Sequence, residues 1–245
     1  IVDKVASIFP FEYDVYKEAG ANVEFVGHPL VDIVKPKMTE AEANTFAGKQ
    51  DDRKLILIMP GSRLMEIEKM LPTLLEAAKL IKKQLPEVDF VMPRAGSIPL
   101  QMLEEKIKAS GISVKITEGN NYDLFSVADL ALATSGTVTL EAALCGLGSV
   151  IVYRTNPLTY FIAKLVVNIP HIGLPNIVAG KSVLPELIQD DFTPEKVAKE
   201  AMSLLERERN AKMKEDLAYV KERLGKPGAV GRVAELVLKI AGEKK

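Results

Sequence analysis

Cysteine and histidine are scarce: one Cys and two His in 245 residues. A lone Cys145 excludes an internal disulfide framework and a cysteine-rich metal site, and suits a reducing cytoplasm. Two histidines leave no material for a His-based metal cluster. Net charge is nearly absent too, with 32 Lys plus Arg against 33 Asp plus Glu. No global field therefore draws in nucleic acid or anionic lipid, and any partner is met locally. The longest apolar run, 158–172, is interrupted by Lys164, Asn168, Pro170 and His171, too short and broken to span a bilayer. No G-x-x-x-x-G-K-[ST] supports a P-loop NTPase, no G-x-G-x-x-G opens a βαβ unit, and no G-x-S-x-G supplies a hydrolase elbow. An Asp-x-Asp pair for a metal diphosphate is missing as well. Asp51–Asp52 and Asp190–Asp191 are adjacent pairs that read as solvated turn residues.

What is present is core material. Hydrophobic residues make up 47% of a chain long enough for one large α/β domain or one and a half ordinary ones. Apolar, β-rich runs at 5–9, 23–26, 54–59, 88–92, 114–117, 130–133 and 149–153 alternate with helical periodicity. That periodicity is clearest at Leu64, Ile67, Leu71, Leu74, Leu75, Ala78, Ile81 and Leu85, where Pro72 should kink or restart the helix. Strand and helix in turn imply a mostly parallel sheet covered on both faces, so the fold class is α/β.

A boundary is expected in 29–39, which carries two prolines and no clean period. Residues 1–30 then read as the last βαβ piece of another domain. The chain begins at Ile1 inside an expected strand, with no methionine and no leader, so a preceding segment is expected to be missing. After Phe192 the pattern is purely helical, opened by Thr193 as N-cap and Pro194. Gly225, Pro227 and Gly228 break it before a last amphipathic helix at 230–240.

In open parallel sheets ligands sit beyond the carboxyl ends of the strands. One such loop follows the run at 54–59 and reads Pro60, Gly61, Ser62, Arg63. Gly61 lets a backbone approach closely, and Arg63 suits a phosphate or pyrophosphate; the plain alternative is an ordinary turn with a surface arginine. The other follows 130–133. Thr134, Ser135, Gly136 and Thr137 place hydroxyls and free N–H groups at a helix start, a recipe for holding an anion. Glu141 lies one turn further on the same face, where a carboxylate accepts from a ribose diol instead of repelling phosphate at the helix mouth. A capped helix with an acidic residue favoured by the dipole is the alternative. In 172–191, Asn176, Glu186 and Gln189 offer amide and carboxylate groups for a uracil ring or sugar hydroxyls, or for capping their own loop.

The blocks IFPFEYDVY (8–16), VEFVGHPLVD (23–32), IMPGSRLMEI (58–67), ATSGTVTLEAAL (133–144), VIVYRTNP (150–157) and GLPNIVAGKSVLPELIQ (173–189) follow one another in this order. In that order they resemble lipid-A-disaccharide synthase. The resemblance implies a GT-B type glycosyltransferase, inverting, metal-independent and without a cofactor, with a Rossmann-like doubly wound sheet. It divides the chain into a remnant of the N-terminal Rossmann-like acceptor domain (1–30), a UDP donor-binding domain (31–206) and C-terminal helices returning to the N-terminal domain (207–245). The implied reaction transfers 2,3-diacylglucosamine from UDP to 2,3-diacylglucosamine 1-phosphate, giving the β-1,6-linked disaccharide phosphate and UDP. Ser62 and Arg63 would contact the diphosphate, Ser135, Gly136 and Thr137 the phosphates at the helix start, and Glu141 the ribose. Asn176, Glu186 and Gln189 would line the donor pocket.

The general base of the family is expected in the missing N-terminal region, leaving Glu12 and His28 structural roles. Cys145 reads as buried packing. Lipid substrates imply a cytoplasmic enzyme peripheral to the inner membrane. Arg154, Leu158, Tyr160, Phe161, Ile162, Lys164, Leu165 and Val166 are its candidate membrane-facing patch, with a buried helix as the alternative. The family also implies a homodimer, with Arg232, Lys239, Lys244 and Lys245 on a helix crossing to a partner chain. The competing readings are another UDP-N-acetylglucosamine GT-B enzyme, such as the peptidoglycan transferase or the 2-epimerase, and a non-catalytic nucleotide-sugar binding remnant.

Overall fold

A computed structural model describes residues 2–50, 52–156 and 170–243. The membrane-patch residues 158–166, and Lys244 and Lys245, lie outside the described residues. Six strands form one parallel sheet: β3 (Lys54–Met59), β4 (Val88–Arg94), β5 (Lys115–Glu118), β6 (Leu130–Thr134), β7 (Ser149–Tyr153) and β8 (Glu186–Ile188), in the spatial order β5-β4-β3-β6-β7-β8. Strand β3, KLILIM, is buried on both faces after its first residue. Ile56 and Ile58 enter one core, with Leu130 and Leu132; Leu55, Leu57 and Met59 enter the opposite one, with Ala131 and Ala133. Such a strand needs helices on both sides, which explains its unbroken apolar run.

One face is covered by α4 (Leu64–Gln84) and α9 (Pro194–Leu205), which pack together. The other carries α3 (Glu40–Ala47), capped by Thr39 in a reciprocal box with Glu42, and α6 (Asn121–Val127). Helix α7 (Thr137–Leu144) joins β6 to β7, α5 (Leu100–Ser110) follows β4, and α8 (Leu174–Ala179) precedes β8.

Of the kink or restart expected at Pro72, the restart does not occur: helix α4 runs on to Gln84. Pro72 faces solvent while Met70, Leu71, Leu74 and Leu75 are buried around it, so packing on both sides outweighs one lost backbone hydrogen bond. Segment 172–191, read as a polar loop, contains helix α8, strand β8 and a 3₁₀ turn at Gln189–Asp191. The C-terminal helices do not leave the large unit at 207. Helix α10 (Arg207–Arg223) packs on α7 and α8, burying Met213, Leu217 and Val220, and the crossing comes at Leu224.

Beyond that crossing, α11 (Ala229–Glu243) meets a small unit in which β1 (Val5–Ser7) and β2 (Val23–Phe25) pair in parallel around α1 (Pro10–Glu18). The two crossings are laced together. His28 N donates to Leu224 O at 2.9 Å, Asp32 accepts from Gly228 N at 2.8 Å and Ala229 N at 3.2 Å, and Arg232 Nε donates to Val26 O at 2.8 Å. Arg232, expected on a surface reaching a partner chain, is instead spent on Val26, Lys226 and Pro227 carbonyls. Arg154 likewise donates to the Phe192 carbonyl at 2.5 Å and lies over the Phe192 ring, so its guanidinium is committed inside the fold. Cys145 is only partly buried; desolvation pushes its thiol up to about 11, leaving it protonated.

His28 is buried against the Phe9 ring, with centroids 4.7 Å apart, and Nδ1 accepts from Leu30 N at 3.1 Å. Burial holds its pKa below the ordinary value. A depressed imidazole pKa stabilises the fold above the unfolded value and loses that contribution as pH falls. Between about pH 7 and about pH 5.5 the melting temperature should therefore drop, and His28→Asn, which keeps an acceptor for Leu30 N, should flatten the drop. Thermal unfolding at the two pH values decides; an equally steep fall in the variant would place the titration elsewhere.

Candidate functional site

The strand order reverses direction between β3 and β6, so the helices that follow them diverge and leave a crevice at their carboxyl ends. Met59 pairs with Ala133 in register, which sets the two following turns at one height. Between them lies a cavity of about 400 Å³ lined by Ser62, Arg63, Ser135, Gly136, Thr137 and Glu141 among others. Six of the nine expected site residues are thus brought together.

On the β6 side the polar groups are left open. Thr134 is 3% exposed, and its hydroxyl has no hydrogen-bond partner among the described residues. Thr137 and Val138 line the cavity at the start of α7, where the first N–H groups of a helix have no intrahelical acceptor. A Cβ built on Gly136 meets nothing within 4 Å. The fold itself does not require glycine there, and a side chain would project into the cavity. Ser135 is less free, since Oγ donates to Ile172 O at 2.9 Å. Glu141 is half-buried, makes no hydrogen bond or ion pair to a described residue, and has its carboxyl pKa raised by desolvation.

On the β3 side the donors are already engaged. Glu66 Oε2 accepts from Ser62 N at 2.9 Å and Arg63 N at 3.3 Å, while Arg63 Nη1 reaches Oε1 at 2.7 Å. Gly61 has φ +122°, and a Cβ there would lie 2.5 Å from Oε2, so this turn needs glycine to admit the Glu66 carboxylate. Glu66 itself lines the cavity and was missed in the sequence, where its position at N3 of α4 reads only as helix capping. Also missed were Pro93 near the end of β4, Ala95 just beyond it and Asn121 at the start of α6, which line the cavity too. Their signal was positional: they stand at or just beyond the carboxyl ends of β4 and β5, on the β3 side of the reversal, and Asn121 succeeds Asn120, a non-glycine residue at φ 52°.

Asn176, Glu186 and Gln189 do not line this cavity. Asn176 is fully buried; Oδ1 accepts from Val183 N and Leu184 N, both at 2.8 Å, and Nδ2 donates to Leu184 O at 2.8 Å and Glu186 Oε1 at 2.6 Å. Glu186 also accepts from Ile172 N at 2.9 Å and Gly173 N at 3.0 Å. Gln189 exchanges hydrogen bonds with the Thr155 backbone. Asn176 braces 183–184 and Glu186, Glu186 braces Ile172 and Gly173, and Ile172 O in turn holds Ser135; Gln189 braces Thr155. They support the wall of the cavity instead of facing its interior. Among the described residues no group of three or more His, Cys, Asp or Glu could hold a metal ion.

Two stability changes follow. Asn176→Ala strands several buried backbone partners and should destabilise the protein by about 3 kcal/mol or more in denaturant unfolding; a variant as stable as the parent would remove its bracing role. Glu141→Gln should do the reverse. A carboxyl with a raised pKa favours the fold while protonated and loses that contribution as pH rises through its folded value. The amide should raise the melting temperature at neutral pH, with the gain shrinking as pH falls through the Glu141 pKa; a lower neutral-pH melting temperature would indicate a hidden partner.

Residues 1–239 match the family model described as lipid-A-disaccharide synthetase. Lipid-A-disaccharide synthase of Geobacter sulfurreducens is 42% identical over 245 residues, all of this chain and 64% of the relative. That of Myxococcus xanthus is 34% identical over 241 residues, 98% of this chain and 63% of the relative. The chain thus spans a little under two thirds of the length of these relatives. Similar solved structures include a Staphylococcus aureus MnaA–UDP complex, with TM-score 0.70 at 15% identity, covering 98% of this chain and 61% of that one. Another is the Neisseria meningitidis UDP-GlcNAc 2-epimerase bound to UDP-GlcNAc, with TM-score 0.66 at 17% identity, covering 96% and 61%. At such identities they show the fold, a Rossmann-like unit of the GT-B type. With its site geometry, its sheet order and its match over nearly every residue, the chain belongs to the lipid-A-disaccharide synthetase family.

Proposed function

We propose that the cavity between β3 and β6 is the donor site of a UDP-dependent glycosyltransferase, and that the chain carries the donor half of lipid-A-disaccharide synthesis. The observation that carries this reading is the open start of α7, with the bare Gly136, the unpartnered Thr134 hydroxyl and Glu141 one turn further in. The diphosphate takes the N–H groups of the helix start, and the ribose hydroxyls donate to Glu141, which has no other donor among the described residues. Pro93, Ala95 and Asn121 then border the uracil. UDP and UDP-GlcNAc in the two similar structures support a uridine nucleotide as the ligand.

In the transfer, the bond between the anomeric carbon of 2,3-diacylglucosamine and the β-phosphate oxygen breaks, and the 6-hydroxyl oxygen of 2,3-diacylglucosamine 1-phosphate bonds to that carbon with inversion. The hydroxyl proton goes to a base assigned to the part of the family outside the matched residues. This chain's contribution is electrostatic: donors already aimed at the leaving diphosphate lower the barrier to its departure. Residues 1–30 belong, in this reading, to the acceptor-side domain, with α11 lying against it. The lipid substrates place the enzyme on the cytoplasmic surface of the inner membrane; no helix among the described residues is long and apolar enough to cross one. A homodimer completes the reading.

Calorimetric titration with UDP, without added metal, tests it. The parent should bind, Glu141→Ala should bind about tenfold to hundredfold more weakly through loss of hydrogen bonds to a charged acceptor, and Gly136→Ala should keep its melting temperature while losing affinity. A folded parent that ignores UDP, or affinities unchanged in both variants, would sink the assignment.

A further inference from the structure

Among the residues lining the cavity, Arg63 is the one cation, against the two carboxylates Glu66 and Glu141. A diphosphate entering this space meets more negative than positive charge unless something moves. Glu141 stands away from the β3 turn and has no bond to exchange. Glu66 does, since its carboxylate occupies Ser62 N, Arg63 N and the Arg63 guanidinium together. Two adjacent backbone N–H groups and a guanidinium are the donor set that suits a phosphate oxygen. Gly61, at a φ disfavoured for other residues, leaves the space into which this carboxylate fits. With 21% of its side chain exposed beside the largely exposed Arg63, Glu66 has an open path out of the turn.

We infer that Glu66 is a built-in stand-in for phosphate: it holds the 61–63 turn in its anion-binding shape while the site is empty and is displaced when the nucleotide diphosphate binds. The inference rests on the donor-site reading above. Binding is then an exchange of one anion for another. The turn stays ordered between turnovers, and the returning carboxylate competes with UDP after transfer, favouring product release. Glu66 is a positioning residue, acting through Ser62 and Arg63 without touching the reacting atoms.

Glu66→Gln separates this role from simple helix capping, because glutamine also serves at the third helical position of a capping box but carries no charge. UDP, inorganic pyrophosphate and uridine are titrated into the parent, Glu66→Gln and Glu141→Ala, each checked by thermal unfolding. Glu66→Gln should bind UDP and pyrophosphate about fivefold or more tightly, since a neutral acceptor competes less well than an ionised one, and should bind uridine, which has no phosphate, as the parent does. Unchanged or weaker UDP and pyrophosphate binding in Glu66→Gln, with Glu141→Ala impaired for UDP, would overturn the displaced-carboxylate role and leave the donor site standing. Tightening for uridine as much as for pyrophosphate would also overturn it. Loss of UDP binding across all three proteins would remove the donor-site reading and this inference together.

Discussion

The reversal of strand order between β3 and β6 is the constraint on which the rest depends. A parallel sheet buried on both faces must send each strand into a helix, and right-handed crossovers send successive helices to opposite sides on either side of the reversal. The crevice is therefore a consequence of topology. The in-register pairing of Met59 with Ala133 then places two turns of different chemistry opposite each other: one rich in N–H donors and hydroxyls, the other with a guanidinium and a carboxylate.

Within that crevice, satisfaction of polar groups sorts ligand-facing residues from supporting ones. Thr134 and Glu141 hold a buried hydroxyl and a half-buried carboxylate without partners among the described residues, which a fold selected for stability alone would avoid. Asn176 and Glu186, close in sequence to one another and equally polar, are engaged with backbone groups and with each other. Thr134 and Glu141 both line the cavity, and Asn176 and Glu186 lie in the layer behind its wall. Glu66 stands between these classes, satisfied by donors that belong to the cavity.

The central strands were legible because burial on two faces demands continuous β-rich apolar runs: 54–59 and 149–153 match β3 and β7 to the residue. The α7 mouth was legible for a local reason, small and hydroxyl residues at a strand-to-helix turn. Strand β8 was not, because an edge strand of three half-buried residues, ELI, leaves no period to read. Asn176, Glu186 and Gln189 read equally as ligand contacts or as caps of their own loop, because sequence shows that a polar residue is placed but not what it faces. That distinction depends on Leu184 and Ile172 folding back over them. Glu66 was hidden by its own regularity, since a glutamate at the third position of a helix needs no further explanation until Gly61 is seen pressed against it.

The two chain crossings add a mechanical consequence. Asp123, buried at the foot of α6, accepts from Lys37 N at 2.6 Å and Met38 N at 2.7 Å, fastening the first crossing to the helix that presents Asn121 to the cavity. The short helix α2 (Leu30–Ile33) bears on α7, the helix that carries Thr137 and Glu141. Asp32, on α2, also holds the second crossing at the start of α11. A rotation of the small unit cannot pull on one crossing alone, because the Asp32, His28 and Arg232 contacts join both. It must also load α6 and α7, the two helices that frame the cavity beside Glu141. The coupling between the two units therefore runs through packed and hydrogen-bonded elements on the nucleotide side of the crevice, while the β3 turn with Glu66 stands apart from it and answers to the ligand.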